Sequence, residues 1–162
     1  MRFSPETFPI VECHEPVLSN AILNTGNAIC LKNADGVWVI VHEHFVVDAN
    51  PLVITIGIGT TEVLAEAHGT TLASNFHAWA CVDSDTSDAL VHQTLAATYT
   101  LNGVTAGNNQ IWVFYVAASA LAAANYDWVH AGFTGGDVGN YGSVLYILDR
   151  ARYQQETPPS AI

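Results

Sequence analysis

One uninterrupted apolar run limits what this chain can fold into more than any other stretch. It spans Val37–Val41, follows the turn signal Asn33-Ala34-Asp35-Gly36, and contains only β-branched residues and one tryptophan. Such side chains lose rotamer freedom in a helix and fit well on a pleated, packed surface. The run therefore predicts a strand that is buried on both faces.

Further short strands follow from alternating or continuous apolar patterns bounded by turn residues. The clearest is Leu52–Gly59, where three isoleucines occupy every second position. The other predicted strands are Ile10–Cys13, Ala28–Leu31, Phe76–Val82, Leu90–Leu101, Ile111–Val116, Trp128–Phe133 and Ser143–Leu148. Only two short helical segments are expected, within residues 60–69 and 117–124. The pattern predicts an all-β chain, with residues 1–162 forming a single antiparallel β-sandwich that is jelly-roll-like.

Proline-bearing ends predict extended arms on this domain. Met1–Val17 contains three prolines, and Gln154–Ile162 contains Pro158-Pro159. Proline removes a backbone donor and biases the preceding residue toward extended conformations. We therefore expect an N-terminal arm that includes one edge strand at Ile10–Cys13, and a C-terminal arm.

Charge and cysteine content exclude several classes of protein. Fifteen acidic residues against four basic ones give a formal net charge of −11, with no basic stripe. Binding to nucleic acid or to an anionic membrane surface is therefore not expected. The three cysteines have no CxxC spacing, which favours buried free thiols made in a reducing compartment over a disulfide framework or a zinc knuckle.

A metal motif is suggested by the histidines that follow the central strand. Gly36, His42, His44 and Asp48 have the spacing of the first metal motif of the cupin family, which this stretch resembles. Two imidazoles on one strand face, with a carboxylate, can share a metal. The acid is aspartate instead of glutamate, however, and no second motif follows. We therefore expect no metal and no cofactor, with the two histidines at the solvent-side end of a strand; a cupin-like metal-binding enzyme is the alternative.

Two other groups of residues have structural explanations. The glycine-rich stretch Thr134–Gly142 lacks the lysine and helix of a phosphate-binding loop, so it predicts a hairpin loop. The tryptophans at positions 38, 79, 112 and 128 all lie in predicted strands, which favours core or interface packing over a sugar-stacking platform. A carbohydrate-binding virion module is the corresponding alternative.

Three segments carry a resemblance to a known family. They are Val37–Val41, Asp85–Thr94 and the end of the chain from Tyr146 to Ile162. In these segments and their spacing the chain resembles capsid decoration (cement) proteins of tailed bacteriophages, which are encoded near the major capsid protein. The resemblance covers most of the chain and implies a β-sandwich that binds the outside of the capsid and stabilises it.

The resemblance also implies a location and a set of partners. We expect a non-enzymatic virion protein, made in the host cytoplasm, that binds the major capsid protein on the capsid exterior and associates with itself as a dimer or trimer. Another structural role in the head or tail is the alternative. The arms are expected to supply the contacts, through Arg2, Phe3, Phe8, Arg150, Arg152, Pro158, Pro159 and Ile162.

Overall fold

A computed structural model describes residues 8–18, 26–46, 51–102, 107–122, 125–136 and 139–149. Within them the chain forms ten strands and two short helices. The strands are β1 (Ile10–Leu18), β2 (Ile29–Cys30), β3 (Gly36–Phe45), β4 (Leu52–Gly59), β5 (His77–Cys81), β6 (Val91–His92), β7 (Tyr99–Leu101), β8 (Asn108–Ala117), β9 (Trp128–Gly135) and β10 (Tyr141–Asp149). The helices are α1 (Glu62–Glu66), capped by the Thr61 hydroxyl, and α2 (Ala118–Ala122).

The strands build two antiparallel sheets. A six-stranded sheet has the order β1-β10-β3-β8-β5-β6, and a four-stranded sheet has the order β2-β9-β4-β7. From β1 to β4, and again from β7 to β10, successive strands alternate between the sheets. Most neighbours within a sheet are therefore distant in sequence, and the predicted all-β antiparallel sandwich is confirmed.

The core lies between the two sheets and follows the period of two. In β3, Val37, Val39 and Val41 are buried, and in β4 the same is true of Ile54 and Ile56. Residues one position along each strand point away from this core, because successive side chains of a strand alternate between its faces.

The prediction that the central strand is buried on both faces is wrong. In β3, Trp38 and Ile40 are half-buried and His42 is exposed, and β8 shows the same alternation of buried and half-buried residues. Both strands lie in the middle of the six-stranded sheet, but no layer of the described residues covers its outer face. The described residues therefore leave these apolar outward side chains of β3 and β8 only partly buried.

The N-terminal segment and one loop differ from the prediction as well. The described part of the predicted N-terminal arm is mostly β1, an edge strand that runs to Leu18 and pairs with β10. The C-terminal arm Gln154–Ile162 lies outside the described residues. The glycine-rich stretch does not close a hairpin, because β9 and β10 belong to different sheets.

Candidate functional site

The two histidines of the cupin-like motif lie on the outer face of the six-stranded sheet. His42 is exposed, and the Nδ1 atom of half-buried His44 is 2.8 Å from Oδ1 of Asn109. The amide of Asn109 in turn donates to Asp85 over 2.8 Å. As predicted, the pair is at the solvent side of a strand, away from the sandwich interior. Asp48 lies outside the described residues.

Most of the residues expected to contact a partner also lie outside the described part of the chain. These are Arg2, Phe3, Arg150, Arg152, Pro158, Pro159 and Ile162. Phe8 is described and is half-buried just before β1. The role of the arms therefore stays a prediction.

The outer face of the six-stranded sheet carries two adjacent rows of outward side chains, which we call the outer face rows. Strand pairing places Leu145, Ile40, Val113, Trp79 and His92 in one row and Ile10, Ile147, Trp38, Tyr115 and His77 in the next. All but the two histidines are apolar or aromatic. An apolar surface of this continuity is a candidate site of interaction.

Aromatic rings concentrate at one end of the outer face rows. The ring centroid of Trp38 is 5.6 Å from that of Trp79 and 4.6 Å from that of Tyr115. His77 stacks on Trp79, and its Nδ1 atom is 3.0 Å from Nε2 of His92. Of the four tryptophans, only Trp112 is fully buried in the core.

A second group, which we call the buried cluster, forms where β1 passes the edge of β9. The pairing of β1 with β10 shifts between Glu12 and His14, and this bulge leaves both Cys13 and His14 buried although they are adjacent in sequence. A bulge of this kind re-aims a side chain. The result is a group of three possible metal ligands, Cys13, His14 and His130 of β9. One ligand atom of each lies within 4.8 Å of the others, and no other such group is found among the described residues.

The imidazole of His130 has an orientation fixed by its neighbours. The Nδ1 atom of His130 is 2.7 Å from Nε2 of His68, and Nδ1 of His68 is 3.4 Å from the hydroxyl of Thr55. His68 follows α1 with a positive φ of 49°, and its ring lies so close to Gly132 that a Cβ there would overlap it. Glycine on β9 thus makes room for the ring that holds His130.

Two nitrogen atoms of the buried cluster make no hydrogen bond of acceptable geometry to the described residues, although the backbone of Gly26 lies near the His130 ring. They are Nε2 of His14 and Nε2 of His130, on side chains that are 5% and 0% exposed. Leaving a buried polar atom unpaired costs about 1–3 kcal/mol. Buried atoms of this kind are rare and call for a specific explanation.

Burial sets the protonation states of the cluster. It lowers the pKa of His14 to about 4. It also lowers the pKa of His130 to about 3, helped by the charges of His68 and His14 and opposed by the backbone of Gly26. The pKa of the Cys13 thiol is raised by burial to about 12. Without a bound ion, the histidines are therefore neutral and the thiol is protonated at neutral pH.

Further polar groups surround the thiol. Tyr146 of β10 hydrogen-bonds to Cys13, and its hydroxyl accepts the backbone N–H of Ala131 over 2.8 Å, across the gap between the sheets. Glu66 of α1 accepts the N–H of Ala28 over 3.1 Å and raises the pKa of Cys13 through its charge. The buried cluster therefore connects both sheets and α1.

Searches for similar proteins give no further guide to the role of these two regions. No family model, curated protein or solved structure matches this chain. Among the described residues, neither helix is long and apolar enough to cross a membrane.

Sequence reasoning missed the buried cluster for a definable reason. Strand alternation places adjacent residues on opposite faces, so Cys13-His14 does not indicate a pair of ligands unless a bulge is known. His68 and His130 lie far away in sequence. The available signal was a histidine inside an apolar strand segment, two residues before a glycine, at His130 and Gly132.

Proposed function

We propose that this chain is a structural protein of a tailed-bacteriophage virion, which binds the major capsid protein on the outside of the head and stabilises the shell. The observation that carries this proposal is the pair of outer face rows. Together with the segment resemblance given above, they fit a module whose work is to cover and hold a neighbouring surface. No catalytic role is assigned to any residue.

The outer face rows leave apolar area in contact with water. Covering such area contributes roughly 25 cal/mol per Å² removed from water. A protein that binds the assembled shell more tightly than the free subunits stabilises the shell by linkage. Many copies around one particle add avidity even where each contact is modest.

Charge favours the capsid protein over a second copy as the occupant of this face. Each copy carries a formal charge of −11, and an excess of like charge discourages face-to-face pairing of identical molecules. The residues of the outer face rows include no carboxylate. The first carboxylate beyond them is Glu12, which pairs with Leu145 on the edge strand β1. Contacts between copies are then expected beside this face, through the arms.

We also propose that the topology is that of a jelly roll. The orders β1-β10-β3-β8 and β2-β9-β4-β7 support it, because they give two four-stranded sheets connected by alternate crossings. In this interpretation β5 and β6 are an insertion that widens the first sheet beyond β8. The widened part carries Trp79 and the histidines of the outer face rows.

The main test uses virions and a matched pair of variants. Purified particles of the phage that encodes this chain are imaged by electron cryomicroscopy, and recombinant protein is added back to particles that lack it. We expect density on the capsid exterior, and we expect Leu145→Asp to reduce occupancy at least tenfold. Leu64→Asp, which places the same charge on an exposed leucine of α1, should bind normally.

Several results would count against the proposal. Absence from the particle, or a position against the packaged DNA, contradicts it directly. Equal occupancy of both leucine variants removes the outer face rows from the interaction. A dimer in solution that only Leu145→Asp dissociates would assign the face to a second copy instead.

The arms are tested separately by deletion. Removing residues 157–162 is expected to leave the thermal unfolding temperature unchanged and to weaken attachment to particles. Unchanged occupancy would remove the C-terminal arm, including Pro158, Pro159 and Ile162, from the contact.

The ring cluster of Trp38, Trp79 and Tyr115 favours a second candidate, a carbohydrate-binding virion module. Half-buried aromatic rings on an outer face can stack on sugar rings. Glycan-array binding that is lost in Trp79→Ser and kept in Leu64→Asp would support this candidate; an empty array removes it.

A further inference from the structure

We propose that Cys13, His14 and His130 bind one Zn²⁺ ion, which fastens the edge strand of the six-stranded sheet to the four-stranded sheet. This site is independent of the outer face rows and of the proposed role in the virion. It is also distinct from the His42/His44 pair on the outer face.

The donor set is one that zinc prefers. Zn²⁺ takes thiolate sulfur at about 2.3 Å and imidazole nitrogen at about 2.0–2.1 Å in tetrahedral geometry. Ligand atoms in such a site are roughly 3.3–3.6 Å apart. The three atoms here already lie within 4.8 Å of one another, so small side-chain adjustments bring them to an ion.

The two unpartnered nitrogens supply the independent observation. Nε2 of His14 and Nε2 of His130 are both buried, and neither makes a hydrogen bond of acceptable geometry to the described residues. A metal ion accepts a lone pair from each and so removes both unsatisfied groups at once. A buried water would pair with the same two nitrogens, so it is the thiol of Cys13 beside both of them that favours a metal ion.

The surroundings have the arrangement that orients metal ligands. A metal-binding imidazole usually donates its other N–H to a second group, which fixes the tautomer. When Nδ1 of His130 donates to His68, over 2.7 Å, the lone pair of Nε2 is directed to the cluster. The hydrogen bond between Tyr146 and Cys13 orients the sulfur atom, as His68 orients the ring of His130.

Charge and burial indicate a structural ion. One thiolate and two neutral imidazoles leave Zn²⁺ with one net positive charge, which the nearby carboxylate of Glu66 offsets. The three ligand residues are 3%, 5% and 0% exposed. Three protein ligands leave the fourth tetrahedral position to a water molecule, and the burial of all three ligand residues closes that position to substrate. The ion would join β1 to β9, strands that belong to different sheets.

The test begins with the wild-type chain and needs no variant. Protein is produced in medium supplemented with zinc, or with cobalt in its place, so that the ion can enter during folding. Elemental analysis should give one metal per folded chain. The cobalt form should show sulfur-to-metal charge transfer in the near ultraviolet and the visible bands of a tetrahedral ion.

Variants then assign the ligands. Cys13→Ser should abolish the charge-transfer band, and His130→Gln should reduce metal content at least tenfold. His68→Gln, which removes only the supporting imidazole, should weaken metal affinity by about 10–100-fold. Matched controls are Cys81→Ser, a buried thiol that donates to the Ser87 carbonyl, and the exposed-pair variant His77→Gln/His92→Gln; both should keep full metal content.

Three outcomes would overturn the inference. The first is a folded wild-type protein with no stoichiometric metal and no cobalt spectrum, which would leave a hydrogen-bonded Cys/His network only. The second is a spectrum that survives Cys13→Ser. The third is metal that is lost in His77→Gln/His92→Gln, which would place the ion on the outer face.

Discussion

The outer face rows and the buried cluster invert the usual distribution of residues in a sandwich. One region holds leucine, isoleucine, valine and tryptophan against solvent, and the other buries two histidines and a cysteine beside the half-buried His68 and Glu66. Each region is unfavourable for an isolated chain. Both proposals answer this inversion with something that binds: a macromolecular surface over the first region and an ion inside the second.

The two regions differ in how they depend on the fold. The outer face rows need only regular pairing, because each residue is directed outward by the alternation of its own strand. The buried cluster needs an irregularity, the bulge at Cys13, and groups from α1, β9 and β10. Substitutions should therefore affect stability strongly at the core and at the cluster and weakly on the outer face.

The largest loss of stability is expected at a core position of β8, whose neighbour in sequence lies on the outer face. Phe114 is 0% exposed, so Phe114→Ala should lower the free energy of unfolding by about 3–5 kcal/mol. Val113→Ala, one position away on the outer face, should cost about 1 kcal/mol or less. Urea unfolding measures both; equal losses would mean that the outer face is covered like the core.

Acid should destabilise the metal-free protein through the buried cluster. The folded pKa values of His14 and His130 are about 4 and about 3, below the value of about 6.5 in an unfolded chain. Above pH 6.5 neither state takes up a proton at these groups, so the stability is fully present. As the pH falls from 6.5 toward 4 the unfolded chain is protonated first, and the free energy of unfolding drops by about 1.4 kcal/mol per pH unit for each histidine.

This dependence is measured by urea unfolding in the presence of a chelator. His130→Gln should reduce the slope by the contribution of one group, whereas Leu145→Thr on the outer face should leave it unchanged. A slope that is the same in all three proteins would mean that the buried histidines do not resist protonation.

A smaller loss is expected when the cluster loses one hydroxyl. Tyr146→Phe leaves the buried N–H of Ala131 without its acceptor and should cost about 1–3 kcal/mol. Tyr141→Phe on the same strand removes an exposed hydroxyl and should cost almost nothing. Thermal unfolding of the two variants side by side decides the point, and matching melting temperatures would contradict it.

The smallest effect is expected on the outer face itself. Leu145 is 39% exposed, so Leu145→Thr should change the free energy of unfolding by no more than about 0.5 kcal/mol. It should also reduce the binding of a hydrophobic dye to the folded protein. A loss above 2 kcal/mol would show that this leucine is part of a core.

Local patterns predicted the elements well. Leu52–Gly59 forms β4 with the predicted bounds, and the short strand expected near Ile29 is present. Thr61 caps α1 as its side chain suggests. The uninterrupted run at Val37–Val41, however, predicted two buried faces because apolar side chains identify a strand without saying what covers each side.

The amino-acid sequence by itself determined the class of the fold, since β-branched alternation and turn residues act over a few positions and need no distant partner. Only the tertiary structure decided which strands are neighbours, which face of β3 stays open, and that Cys13 and His14 both turn inward beside His130. These outcomes depend on contacts between residues more than a hundred positions apart, such as Ile10 and Ile147. Strand alternation carries no information about such contacts, and a one-residue bulge reverses what it implies.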